Sequence, residues 1–231
     1  TGGSWAFQGM VDFLLSGEPE AVWLRKAAEF WVYPLVNPDG RYTQTGRGNP
    51  EIQIMFAEGQ IPPEISYNDH NRLWHLSYPT DCGVSTIDAL TAAMLTDSNA
   101  CEAGIDYYFD FHGASSNFFY TVPELMDCPY VEAFLALNTG VYPVARSAAQ
   151  ATLGSSRIWA MLEPPWGLGA TYSFTPENNR SYGVSYYLGL GRYYGIALHN
   201  VLIPETLIGF ADLVILSSRW LESTLHQRQI G

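Results

Sequence analysis

A histidine and a glutamate stand where this chain leaves apolar runs for turn chemistry, and an asparagine and two arginines lie in a long polar stretch. Together they could bind an anion and hydrolyse a bond beside it. His112 closes the run Tyr107-Tyr108-Phe109-Asp110-Phe111-His112 and is followed by Gly113. Alternation along a strand puts Asp110 and His112 on one face. Taken alone, His112 reads as readily as a structural histidine as a metal-binding or catalytic one. Glu177 follows a second β-type run and Pro176. Asn71 and Arg72 lie in Asp69-His70-Asn71-Arg72, and Arg47 sits further back in the same polar stretch.

The elements that must position these residues follow from periodicity and turn signals. A helix is expected from Ser4, as N-cap, to about Ser16. Phe7, Met10, Val11 and Leu14 would share its inner face, and Gly17 would stop it. A short helix carrying Ala21, Val22, Leu24 and Arg25 should follow Glu18-Pro19. Glu29 to Val36 is strand-like and closes on the turn Asn37-Pro38-Asp39-Gly40. Arg41 to about Pro79 reads as loop, and a loop that long in a compact domain is usually functional. An amphipathic helix from about Val84 to Leu95, with Ile87, Leu90, Thr91 and Met94 inward, should end at Asp97-Ser98-Asn99. The aromatic strand Asp106 to His112 comes next; its unbroken apolar character predicts cover on both faces, with Gly113 turning the chain away. Helices are expected over Tyr130–Leu137 and about Val144–Thr152, with a Pro/Gly-broken loop over Trp159–Leu168. Ala170 to Thr175 is a strand ending at Pro176-Glu177. Helices over Tyr186–Leu202 and Glu205–Leu225 close the chain. The alternation gives one α/β domain over 1–231, with a mixed, mostly parallel central sheet flanked by helices.

The net charge of -12 and the presence of Lys26 as the only lysine argue against nucleic acid as a partner. The apolar runs fall short of a membrane span, so no membrane partner is expected either. Seven Trp, fifteen Tyr and eleven Phe favour a rigid globular core. Cys82, Cys101 and Cys128 follow no metal-site spacing. A Cys82–Cys101 bridge and three free thiols are equally compatible with them.

Ser4-Trp5 through Leu15, Asn37-Pro38-Asp39-Gly40, Arg47, Asp69-x-Asn71-Arg72-x-Trp74, Phe109-Asp110-Phe111-His112-Gly113 and Tyr172-Ser173-Phe174-Thr175-x-Glu177 occur in one order and spacing. In this the chain resembles zinc carboxypeptidases, and most closely the cytosolic-carboxypeptidase branch with its bacterial relatives. The resemblance runs from the first residue to about Gly183. It implies one Zn2+ held by a His-x-x-Glu pair and a later His, leaving a fourth position for water. His112 corresponds to the later His. The His-x-x-Glu would fall just ahead of Thr1, and His70, His75, His199 and His226 all lack a Glu three residues on. The expectation is therefore that this is the larger part of a longer protein. On the same expectation, the N-terminal strands lie upstream and the missing N-terminal segment is needed for folding.

The roles the resemblance implies follow from charge. Glu177 would take a proton from water and hand it to the leaving amine. Arg47 would stabilise the oxyanion. Asn71 and Arg72 would grip the substrate's terminal carboxylate, while Asp110 would orient His112 and Asp69 would brace its loop. Substrates would be peptide or protein C-termini. A specificity pocket is expected between about Ser147 and Tyr172, with Arg157, Trp159, Glu163 and Trp166 available; Arg157 would suit an acidic side chain, and an acidic or neutral terminal residue is expected. Tyr142 and Tyr172 are candidates for a tyrosine closing over substrate, a role left unassigned. His70 and His75 read as structural or surface residues. A cytoplasmic setting is favoured. Two alternatives stand beside this reading: an N-acyl amino acid amidohydrolase of the succinylglutamate-desuccinylase or aspartoacylase type, and a metal-free carboxylate-binding module.

Overall fold

The computed structural model describes residues 2–34, 54–55, 57–59, 71, 73–74, 85–101, 104–114, 117–137, 142, 145–148, 155–179 and 181–203. The elements in order are helix α1 (Gly2–Leu15), α2 (Pro19–Ala27), α3 (Ser85–Ala100), strands β1 (Tyr107–Phe109), β2 (His112–Ala114) and β3 (Phe118–Thr121), a 3-10 turn (Pro123–Leu125), α4 (Pro129–Leu137), β4 (Ala145–Ala148), α5 (Ser156–Met161), β5 (Tyr172–Asn179) and α6 (Val184–Leu202). The result is a mixed α/β architecture. β5 runs parallel to β1 and β2 on one side and antiparallel to β3 on the other, and β4 continues outward parallel to β3.

Side-chain alternation divides the helices between the two faces of the sheet. Tyr107, Phe109, Phe111 and Phe174 join the core made by α1, α2, α4 and α6, around Met10, Phe13, Tyr130, Phe134 and Tyr194. Tyr108 and Ile105 face a second core built from Ile87 and Met94 of α3, Trp159 and Ala160 of α5, and Leu73 and Trp74. Each large side chain fully buried in the first core, such as Phe134 or Phe174, contributes roughly 2–3 kcal/mol of hydrophobic stabilisation.

The inner face of α1 is not the one the large apolar residues suggest. Its buried residues are Gly2, Gly3, Ala6, Gly9, Met10, Phe13 and Leu14, whereas Phe7 and Val11 are only half-buried. Small residues win because α6 lies almost in backbone contact. A Cβ added at Gly191 would stand 2.0 Å from the Ala6 carbonyl oxygen, and one at Gly9 2.3 Å from that of Leu188. The helix also begins at Gly2, so Ser4 lies inside it and is not its N-cap.

Several other expectations are corrected. Residues 29–34 form no strand; Phe30 packs on the core, and the Tyr33 hydroxyl donates to Asp97. Asp97, Ser98 and Asn99 continue α3 rather than end it. Ala145–Ala148 is strand β4 where a helix was expected; pairing with β3 overrides a modest helix propensity. Trp159 to Met161 is helical, not loop. Residues 107–111 are all half-buried rather than covered on both faces, because β1 and β2 are edge strands among the described residues. The chain does not turn at Gly113, which pairs with Asn178 within β2. The turn Asn37-Pro38-Asp39-Gly40, the helix expected over Glu205–Leu225 and most of the long loop fall outside the described residues.

Candidate active site

β5 is the scaffold of the site. It runs on through Pro176 to Asn179, so Glu177 stands within the strand and not at its tip. Proline gives no amide to a ladder, and a neighbouring side chain takes over the tie. Asn178 Nδ2 donates to the carbonyls of Pro176 (2.9 Å) and His112 (3.0 Å), while its Oδ1 accepts from the Tyr194 hydroxyl (3.3 Å). Asn178 is fully buried, which makes this strap costly to break. It locks β2 to β5 in a register that pairs His112 with Glu177.

His112 Nδ1 lies 3.7 Å from Glu177 Oε1, too far for a hydrogen bond. Its Nε2 is 2.7 Å from Asp110 Oδ2. A carboxylate only accepts, so Nε2 carries a proton, and Nδ1 faces Glu177. Asn71 Nδ2 approaches the same Nε2 at 3.4 Å, a longer contact that does not displace the Asp110 bond. The side chains of Glu177 and Asp110 are only 14% and 16% exposed against 29% for His112, so the pair of carboxylates lies deeper than the ring between them.

Asp110 occupies the break between β1 and β2, where its amide still donates to the Phe174 carbonyl (2.9 Å). Burial alone would raise its carboxyl pKa. The His112 charge, hydrogen bonds from His112 and Ser156, and the Arg157 charge outweigh burial and hold it below the usual carboxylate value. Ser156 Oγ donates to Asp110 Oδ2, and the Ser156 amide donates to Asn71 Oδ1 at 2.8 Å. That second bond fixes the orientation of the Asn71 amide and points Nδ2 at the histidine.

Of the residues singled out from sequence, the structure brings together Asn71, Asp110, His112 and Glu177. Arg47, Asp69 and Arg72, with His70 and His75, lie outside the described residues. Trp159 is fully buried beside Trp74, with ring centroids 5.4 Å apart, so it is a core residue. Arg157 is 6% exposed and directs its charge at Asp110; Ser173 Oγ donates to its carbonyl. Tyr172 stacks on Tyr107 at 5.0 Å, away from His112, and Tyr142 packs against Tyr186 and Tyr193. Cys101 is a free thiol that donates to the Gly104 carbonyl, and Cys82 lies outside the described residues. Sequence reasoning missed Ser156 and Asn178. The pair Ser155-Ser156 ahead of Arg157-Ile158-Trp159 was a usable helix-start signal.

Among the described residues, no three His, Cys, Asp or Glu side chains form a group able to hold a metal ion. The donor chemistry of His112 fits one position of a zinc site, and the described residues do not complete it. No helix among them is long and apolar enough to cross a membrane.

Comparison with known proteins adds an independent line. The similarity is to cytosolic carboxypeptidases. Over 116 residues, half of this chain, it is 28% identical to cytosolic carboxypeptidase 6 of Mus musculus and to that of Homo sapiens. A 40-residue stretch is 52% identical to cytosolic carboxypeptidase 2 of Danio rerio. The matched segments span 18%, 20% and 6% of those relatives, so the chain corresponds to a small part of their length. No protein-family model matches it.

Proposed function

We propose that this chain carries the catalytic chemistry of a zinc-dependent carboxypeptidase, releasing the terminal residue of peptides or proteins in the cytoplasm. The observation that carries the reading is the β2–β5 register, which sets the His112 ring beside the Glu177 carboxylate with Asp110 behind it. The similarity to cytosolic carboxypeptidases supports it. His112 would be one zinc ligand through Nδ1, the others coming from beyond the described residues. A bound zinc supplies polarisation of the scissile carbonyl and a water of lowered pKa.

The chain's own groups perform the remaining work. Glu177 accepts a proton from the attacking water and delivers it to the leaving amine, a transfer that needs a poorly solvated carboxylate close to the reacting atoms. Asp110 keeps the His112 ring in one tautomer and one orientation. Asn71, its amide fixed by Ser156, presents a donor to the substrate's terminal carboxylate, and Arg72 adds the paired donors of a guanidinium. Arg47 stabilises the oxyanion.

The test is a panel of peptides with acidic and neutral C-termini, set against N-acyl amino acids, using the full-length protein. Release of terminal amino acids that is abolished by a chelator and restored by zinc is expected. Release of acyl groups without trimming of peptides would overturn the reading in favour of the amidohydrolase.

A further inference from the structure

We propose that Ser156 is a positioning residue that couples the two halves of the site, through its hydroxyl to Asp110 and its amide to Asn71. The proposal rests on the reading of Asn71, Asp110 and His112 given above. Ser156 is 1% exposed and is the first residue of α5. Its hydroxyl is not spent on its own helix but donates to Asp110 Oδ2, the oxygen that also accepts from His112 Nε2. Its amide, one of the donors a helix start leaves without an intrahelical partner, is taken up by Asn71 Oδ1. One residue thereby determines which way the Asn71 amide faces and where the carboxylate behind His112 sits.

The mount is rigid. α5 is anchored by fully buried Trp159 and Ala160, and its Arg157 carbonyl accepts from Ser173 Oγ (2.8 Å) of β5, the strand that carries Glu177. Asp110, Asn71 and Glu177 are therefore all referenced to one helix–strand unit, although they come from three separate stretches of chain. With the hydroxyl removed, Asp110 loses one of two donors on Oδ2, and the His112 ring loses its fixed neighbour. With the amide also removed, Asn71 loses the bond that orients it.

The two links can be separated by substitution. Ser156→Ala removes only the hydroxyl. Ser156→Pro removes hydroxyl and amide together, at a first-turn position where proline suits a helix; Ser155 is already extended (φ -78, ψ 144), as a residue before proline prefers. In the full-length protein, S156A is expected to lower kcat by ~10-fold with KM little changed, as for other groups that orient a ligand histidine. S156P is expected to keep that loss and to raise KM by a further ~5–10-fold, the worth of one hydrogen bond. A second readout does not depend on turnover. Long-range 1H–15N spectra of the His112 ring should show a single Nε2–H form in the wild type and a second population or exchange broadening in S156A.

If the wild type trims no peptide yet S156A still disturbs the ring, the functional reading fails and the positioning role stands. If S156A leaves both the ring spectrum and kcat unchanged, the proposal is overturned. The same holds if both variants change kcat and KM together, in proportion to lost stability. Should S156P not fold, the S156A spectrum alone decides.

Discussion

Gly3→Ala tests whether the site depends on the packing of α1. A Cβ built at Gly3 would lie 2.5 Å from both the carbonyl carbon and the oxygen of His112, and 3.0 Å from its Cα. These are backbone atoms, so no side chain can rotate aside, and a gap of about 0.5 Å must open to reach 3.0 Å. The His112 carbonyl cannot yield freely, because Asn178 Nδ2 donates to it at 3.0 Å. Overpacking of this kind costs about 1–3 kcal/mol, against which alanine returns up to about 1 kcal/mol of helix propensity. The net expectation is a loss of about 1–2 kcal/mol. Misplacing a catalytic group by 1 Å costs on the order of 100-fold in rate, so half that shift should cost about tenfold. Urea unfolding reads the first quantity and release of terminal residues the second. Gly17→Ala, whose added Cβ would meet nothing within 4 Å, is the control. A Gly3→Ala protein with wild-type stability and turnover would show that α1 does not hold the His112 backbone as described.

The other predictions concern chemistry, packing and pH. Glu177→Gln should lower kcat by at least ~100-fold with a small change in KM, since a shape-matched amide cannot accept the proton; initial rates across substrate concentration check this. Gly191→Ala should lower the urea midpoint, because the new Cβ would meet Ala6 O at 2.0 Å and Met10 N at 2.6 Å, both on the α1 backbone. Arg192 donates through Nε to both Glu18 oxygens, at 2.9 and 3.0 Å, and this hydrogen bonding holds the Glu18 carboxyl below its ordinary value. Stability from the pair is therefore present above the usual carboxylate range and lost as pH falls through the lowered pKa of Glu18. Arg192 is 44% exposed, so screening limits the contribution to about 0.5–1 kcal/mol. Unfolding curves of wild type and Glu18→Gln should differ at pH 7 and converge once the pH has fallen below the lowered pKa of Glu18.

Local signals made much of this chain readable. The aromatic run ending at His112, the β-type run before Glu177 and the periodicities behind α1, α2, α4 and α6 were legible because strand alternation and helix repeat are local properties. The same alternation placed Asp110 beside His112, and their 2.7 Å contact is its geometric outcome. The buried face of α1 was not legible, because glycine and alanine carry no hydrophobic signal until a second backbone approaches them. Strand β4 was misread as helix for a related reason: Ala145–Ala148 becomes a strand only where β3 offers an edge.

Sequence alone determined the kinds of group the site contains and the strands that present them. Tertiary structure decided how they meet. Asn71, Asp110, Ser156 and Glu177 are separated along the chain by stretches that no periodicity connects, and hydrogen bonds across the β2–β5 register and the start of α5 bring them together. Such contacts depend on distances set by the packing of α5 against β5 and of α1 against β2. That is why the contacts of Ser156, which the Ser155-Ser156 pair marks only as a helix start, became visible only in the folded protein.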